Sequence, residues 1–399
     1  MAVDTDLFSA SASALGYIYQ CRYALLEAVR RLRDQVDFNV AFETLDDVVF
    51  EKVGGVLDLL QTKHHVKHVA NLTDASPDLW KSLRVWAELF QAAGVPEGAR
   101  RFLVTTARAG DGSAASYLGG AMRDEAKALE RLRAIAMSST NKANEPAYDA
   151  FRTLSGEQQT RLIASLVVLD GSPSIADVQD SLEKELILTA DRKLVPALVE
   201  RLEGWWFRRA IQHLDGRSAK PILSQELESE ISSLREQFKE DNLPIDNDLL
   251  DAEVDATVYG DRTFVHQLHL IDLSAKRVMI AVREFYRAFE QRSRWMREEL
   301  LFVGELDRYE KRLIEEWEIH FEQMHEELGA QATEVVKKKA ARALFKWVES
   351  EADLPIRVSC TAAFVTRGSL HMLADKKRVG WHPDFVARLA ELLASVGVA

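Results

Sequence analysis

The stretch FETLDDVVFEKVGGVLDLLQTKHH, residues 42–65, decides the fold of the first part of this chain. Its two apolar runs, VVFEK and VLDLLQTK, alternate like strands, and Gly54-Gly55 between them is a hairpin signal. Asp46 and Asp47 stand before the first run, and Gln61-Thr62-Lys63 ends the second. Such groups are kept out of buried strands unless they are partnered or used. Residues two apart on a strand share a face, so Gln61 and Lys63 project with Leu57 and Leu59. A two-residue loop at Gly54-Gly55 sets Asp46 opposite Lys63. A three-residue loop, residues 53–55, sets Asp47 opposite Gln61 instead. The first register puts Val48 and Phe50 on the face of Leu57 and Leu59, so hydrophobic pattern leans to Asp46. In either register a carboxylate, an amide oxygen and an ammonium meet at one end of an apolar sheet face.

That grouping suits divalent-metal-assisted phosphodiester hydrolysis. Asp and the Gln carbonyl are the hard oxygen ligands that Mg²⁺ prefers. A bound metal polarises phosphate and lowers the pKa of its water, and a lysine stabilises developing charge or orients the nucleophile. Glu43, at the end of the preceding strand, supplies a further oxygen. The competing explanation is a surface hairpin whose Asp–Lys pair contributes under about 1 kcal/mol.

Outward from the hairpin, residues 12–32 have helical spacing, with Leu15, Ile18, Cys21, Leu25 and Val29 on one side. FNVAFET, residues 38–44, alternates as a strand. Ser76-Pro77-Asp78 reads as a helix start, with a capping hydroxyl, a proline in the first turn and an acid at the positive end. The helix it opens runs to about Gln91 on an apolar side of Leu79, Leu83, Trp86 and Phe90, and RFLVTT, residues 101–106, is the next strand. The order is α-β-β-β-α-β. The chain beyond is mostly helical, apart from a strand at Ala164–Asp170. Three segments follow: 1–240, an α/β domain with a helical extension; 241–262, a polar linker; and 263–399, a mostly helical domain ending in a short strand-and-turn module and a last helix.

With 399 residues, the chain exceeds one ordinary core. A hydrophobic fraction of 47% and a charged fraction of 29% are those of a soluble globular protein, and no apolar run approaches a membrane span. The two cysteines, Cys21 and Cys360, make neither a zinc site nor a disulfide framework, and the cytoplasm is the expected location. A net charge of −12 argues against a protein that coats nucleic acid nonspecifically.

Glu43, Asp46-Asp47 and Gln61-Thr62-Lys63-His64, set in the α-β-β-β-α-β order, resemble the PD-(D/E)xK nuclease superfamily. More narrowly, they are similar to the nuclease domain of the Cap-type bacterial anti-phage effectors, in which a D-D strand precedes Q-x-K-H. The resemblance implies a restriction-endonuclease-like core that cuts double-stranded DNA with Mg²⁺ or Mn²⁺. It implies metal ligation by Asp47 and Gln61, with Gln20 from the helix ALGYIYQCRYALL as the matching first-helix residue. Lys63 and Glu43 complete the catalytic set. Family usage favours Asp47 over Asp46, against the register argument, and Asp46 is kept in reserve. Gln61 in place of the usual acid removes one negative charge from the site. This keeps open a catalytically degenerate adaptor that binds nucleic acid or an ATPase without cutting.

A second resemblance covers residues 262–399. YRAFEQRSRW, YEKRLIEEW and TRGSLHMLADKKRVGWHPDF are similar to C-terminal domains of effectors in ABC-three-component systems. This implies docking to an ABC-type ATPase and a small middle component. The acidic net charge of −12 leads to the expectation that the isolated chain binds DNA poorly and needs assembly, a trigger or oligomerisation, and no membrane partner is expected. The site chemistry does not separate DNA from RNA as substrate.

Other residues invite weaker readings. His64, His65 and His68 offer zinc ligands, but adjacent strand histidines point to opposite faces. With Lys67, Lys81 and Arg84, His64 reads better as a positive rim for phosphate contacts. Ser369, His371 and His382 lack the nucleophile turn of a serine hydrolase. Trp381-His382-Pro383 reads as a packed turn, and Cys360 as a buried thiol. VVKKKAARALFKW, residues 335–347, reads as a helix with a solvated basic face.

Overall fold

The computed structural model describes residues 6–396, without 53, 54, 56, 65–70, 93–95, 97, 121, 122, 218, 219 and 330, and side chains from 14 to 391. The chain divides into two compact units, Met1–Leu234 and Arg235–Ala399.

The first unit holds strands β1 (Phe38–Phe42), β2 (Val48–Lys52), β3 (Leu57–Lys63), β4 (Asn71–Leu72), β5 (Arg100–Thr105), β6 (Arg108–Ala109), β7 (Leu166–Leu169) and β8 (Ile222–Leu223). Its helices are α1 (Asp6–Arg33), α2 (Pro77–Gln91), α3 (Ala114–Tyr117), α4 (Glu125–Ser138), α5 (Glu145–Thr153), α6 (Gly156–Ser165), α7 (Asp177–Glu185) and α8 (Val195–Leu214). Helix α9 (Ser224–Gln237) crosses into the second unit. Six strands form one mixed sheet in the order β7-β5-β3-β2-β1-β8, while β4 and β6 pair separately. Strands β1, β2 and β3 are an antiparallel meander, and β3, β5 and β7 run parallel, with α2 as the crossover between β3 and β5. The expected α-β-β-β-α-β order is present, as is the strand at 166–169; the short edge strand β8 carried no sequence signal.

Pairing of Val48 with Leu60 and Phe50 with Asp58 is the three-residue-loop register, which sets Asp47 opposite Gln61. Hydrophobic pattern does not select the other register, for a physical reason. Val48, Val49 and Phe50 are all buried, as is every residue from Leu57 to Thr62, because this central part of the sheet is covered on both faces. Alternation then no longer tells one register from the other. Asp58, fully buried in β3, is reached by Arg100 (2.8 Å), Arg31 (3.3 Å) and Lys52 (3.7 Å). Burial alone raises its pKa, and the hydrogen bonds and charge of Arg100, helped by Arg31 and Lys52, bring it below the usual range. The Arg31 guanidinium also lies 4.0 Å from the centre of the Phe50 ring, so the residues paired across the strands share one cation.

Helix α1 departs from its expected single stripe. Tyr19, Tyr23, Ala24, Leu25 and Leu26 are all buried while Ile18 is exposed, since the helix is wedged against the sheet and against α7 and α8. The Trp206 indole of α8 donates to the Cys21 carbonyl at 2.9 Å. Helix α2 buries Leu79, Trp80, Leu83, Trp86 and Ala87, close to expectation. Ser76 occupies its N-cap position, but the hydroxyl makes no cap hydrogen bond.

The second unit is helical: α10 (Asn247–Asp251), α11 (Thr263–Leu270), α12 (Ala275–Arg297), α13 (Glu305–Leu328), α14 (Glu334–Ser350), α15 (Ala363–Asp375) and α16 (Phe385–Val396). Residues 241–262, expected as a linker, pack within it. The Trp295 indole donates to the Pro244 carbonyl (2.7 Å), Gln291 bonds Asp246 (2.9 Å), and Leu243 and Leu249 are buried. The expected terminal strand is replaced by turns and α15, with no strand among the described residues of this unit. Residues Phe364, Val365, Thr366, Ser369, Leu370 and His371 are buried all around α15, which erases the helical period in the sequence. At Gly368 α15 meets α12 so closely that an added Cβ would lie 2.1 Å from the Glu284 carbonyl oxygen.

Candidate metal-assisted active site

The parallel strands β3 and β5 end together at Lys63 and Thr105, the edge where sites form in sheets of this kind. Strand β2, running the other way, begins there, which brings Asp46 and Asp47 to the same edge. Asp47 Oδ2 accepts the Thr62 backbone N–H at 2.9 Å and faces its hydroxyl at 3.4 Å. The Asp47 carbonyl accepts the Glu43 N–H at 3.2 Å. Glu43 itself has φ +50°, a left-handed conformation that a residue with a Cβ holds only where its surroundings impose it.

The floor of the site is a buried polar chain. The Trp86 indole donates to Asp46 Oδ2 at 2.7 Å, and Asp46 Oδ1 accepts from the Asp47 N–H and from the Gln61 amide. The Gln61 amide nitrogen also faces Asp47 Oδ1 at 3.1 Å, and its oxygen accepts from Lys63 Nζ at 3.0 Å. Burial pushes the Asp46 carboxyl up to about 6, against the hydrogen bonds from Trp86 and Gln61. Asp46 is therefore a buried anchor that positions Gln61, while the half-buried Asp47 and the exposed Glu43 face the open side. Burial, and then the charge of Asp47, raises the Glu43 pKa. The Tyr17 hydroxyl, hydrogen-bonded to Glu43, is raised by burial and by that carboxylate. Gln20 lies three positions on from Tyr17, on the same side of α1 and half-buried.

Among the described residues no three His, Cys, Asp or Glu side chains gather as a metal-binding group. The donor set is two carboxylates, Glu43 and Asp47, whose mutual repulsion a divalent cation would relieve, plus the Gln61 amide oxygen. These are ligands of the right chemistry for Mg²⁺ or Mn²⁺. The amide now turns its nitrogen to the carboxylates, and cation binding through Gln61 requires it to turn over.

Of the expected phosphate rim, His64, Lys81 and Arg84 are among the described residues. His64 stacks on Tyr19 with ring centroids 4.6 Å apart, and its Nε2 accepts the Ile175 N–H at 3.2 Å, a structural role. Lys81 and Arg84 are on the solvent face of α2, where Arg84 pairs with Glu88 at 3.5 Å. Lys67, His65 and His68 lie outside the described residues. Sequence reading missed Trp86, Tyr17 and Thr62 as parts of the site: the first reads as core, and the other two carry no pattern. Further along, Cys360 is buried with its thiol raised to about 11, Trp381 is fully buried, and burial lowers His371 to about 3. Two cations of α14 make structural ties, Lys338 to Asp272 (2.9 Å) and Lys337 to Asp384 (2.8 Å), while Lys339 and Lys346 are exposed.

Residues 264–389 match C-terminal domain 7 of the ABC-three component (ABC-3C) systems. That segment lies wholly within the second unit and carries the second of the two resemblances. No curated protein matches the chain. Among solved structures, the chain is similar to the Acinetobacter baumannii Cap4 SAVED/CARF-domain containing receptor bound to the cyclic trinucleotide 2'3'3'-cAAA. The identity is 13% and the TM-score 0.33, over 56% of this chain and 46% of the receptor, so the chain spans under half of that protein's length. No helix among the described residues is long and apolar enough to cross a membrane.

Proposed function

We propose that the chain is the nuclease effector of an ABC-three-component anti-phage defence system. In this reading the first unit hydrolyses phosphodiester bonds of double-stranded DNA, and the second docks on the ABC-type ATPase and the small middle component. One observation carries the nuclease half: the β2–β3 register brings Asp47, Gln61 and Lys63 together beside Glu43 at the carboxyl end of the parallel strands. The domain match at residues 264–389 supports the docking half.

Asp47 and Glu43 would hold Mg²⁺ or Mn²⁺, with Gln61 joining once its amide turns and Gln20 available from α1. When bound, the metal supplies electrophilic activation of the phosphate and a more acidic water. Lys63 orients the attacking water and stabilises the charge that develops on the phosphoryl oxygens. Asp46, fixed by Trp86, keeps Gln61 in the site. A net charge of −12 opposes DNA in the isolated chain, so assembly with the partners precedes cutting.

The test is cleavage of plasmid DNA by the assembled system with Mg²⁺, Mn²⁺ or EDTA, with RNA as a parallel substrate. Lys63→Ala is expected to lower the rate by about 10² or more while circular dichroism stays unchanged. Cleavage at the wild-type rate would refute the assigned site. A second reading, the non-cleaving adaptor, is favoured by the Gln61 amide, because carboxylates, amide and ammonium satisfy one another without a cation. Calorimetric titration with Mg²⁺ and Mn²⁺ separates the two: an adaptor shows neither binding heat nor turnover.

A further inference from the structure

Helix α13 keeps one face bare along its whole length. Arg308, Arg312, Glu315, Glu318, Ile319, Glu322 and Glu326 follow one another at helical spacing and are all exposed, while Tyr309, Leu313, Trp317, Phe321 and Met324 are buried on the other side. The charge order on that face is polar: Arg308, Lys311 and Arg312 come first, and Glu315, Glu318, Glu322 and Glu326 follow. Glu326 and Glu327 in the last turn stand against the helix dipole, which favours cations there. Among the described residues Arg308, Arg312, Glu318, Glu322 and Glu326 make no ion pair, and Lys311 reaches only Glu315, at 3.6 Å. The helix alone gives no reason for this order.

We propose that this face is where two copies of the chain associate, with their α13 helices antiparallel about a two-fold axis at the level of Trp317. An isologous contact places residue i of one copy against residue j of the other and j against i. About that axis Arg312 meets Glu322 and Arg308 meets Glu326, each twice, and the helix dipoles oppose. Ile319, exposed near the axis, lies against the methylenes of Glu315 of the second copy. Beside the basic half is a groove of about 550 Å³ lined by Arg308, Arg312, Ile356 and Val358. It has room for the glutamates of the second copy and an apolar wall for their stems. Hydrogen bonds from Arg312 to the Pro355 and Ile356 carbonyls, 3.1 and 3.2 Å, hold that guanidinium at the groove wall. A parallel pairing would set like charges together along the whole face, so the charge order selects the antiparallel one. Glu318 is the exception, close to its own symmetry copy. Together with solvent exposure, this makes the association weak and salt-sensitive.

Sedimentation velocity on the full chain tests this. The wild type is expected to dimerise with rising concentration and to dissociate in high salt. R308E/R312E makes the face acidic apart from Lys311, and E322K/E326K makes it basic apart from Glu315 and Glu318. Each is expected to be monomeric alone, and their equimolar mixture is expected to form a 1:1 heterodimer. E322K/E326K disturbs no hydrogen bond or ion pair among the described residues, so it carries the test even where R308E/R312E folds poorly. A monomeric wild type, or variants that each dimerise as the wild type does, would overturn the proposal. So would a mixture of two folded variants that stays monomeric. None of these outcomes depends on nuclease activity.

Discussion

Replacing Trp86 by Phe isolates the hydrogen bond that anchors the candidate site. The indole donates 2.7 Å to Asp46 Oδ2 in a fully buried setting, so Phe leaves that oxygen without its partner. Asp46 has its pKa raised from 3.8 to about 6. The folded state therefore holds a proton that the unfolded chain releases, and the stabilising contribution is complete below pH 3.8 and lost as pH rises through about 6. At about 1.4 kcal/mol per pKa unit, that two-unit shift corresponds to roughly 3 kcal/mol lost between acid and neutral pH. A hydrogen bond to a charged acceptor contributes about 1.5–3 kcal/mol, against about 0.5–1.5 for a neutral one. The Trp86→Phe penalty should thus be larger at pH 8 than at pH 4.5 by about 1–2 kcal/mol, over a packing loss common to both. Urea titrations read by hydrogen-exchange mass spectrometry on β2–β3 peptides report this unit without interference from the second. A penalty equal at both pH values would show that Asp46 is not an ionised, indole-bonded carboxylate and that Trp86 does not anchor it.

Two further outcomes concern the second unit. Glu310→Ala strands the buried Arg292, now 2.6 Å from its carboxylate, and should cost about 3–5 kcal/mol in urea denaturation; a loss below 1 kcal/mol would mean that the pair is not desolvated. Gly368→Ala forces a methyl into the Glu284 carbonyl, and should expose the α12–α15 seam to proteolysis at temperatures where the wild type resists.

Much of the first unit was legible because its elements carry local signals. The capped, amphipathic α2 and the strands around Gly54-Gly55 declare themselves by period and turn chemistry, and the α-β-β-β-α-β order follows. The buried surround of the site was not legible. Trp86 and Asp46 are 40 residues apart, and an indole on an apolar helix face gives no sign that it holds a carboxylate. His64 read as a surface cation because nothing in KHHVKH announces the Tyr19 ring or the Ile175 amide that enclose it. Helix α15 was hidden because burial on all sides leaves no stripe.

By itself the sequence determined which residue types meet at the hairpin's end: acids before one strand, Gln and Lys closing the next. Which aspartate faces Gln61, and which becomes its anchor, was decided only by tertiary structure. With the central strands covered on both faces, apolar alternation no longer sets the register. Arg31 and Arg100 neutralise Asp58 opposite Phe50, removing the penalty that otherwise disfavours that pairing, and Trp86 supplies the partner that lets Asp46 stay buried.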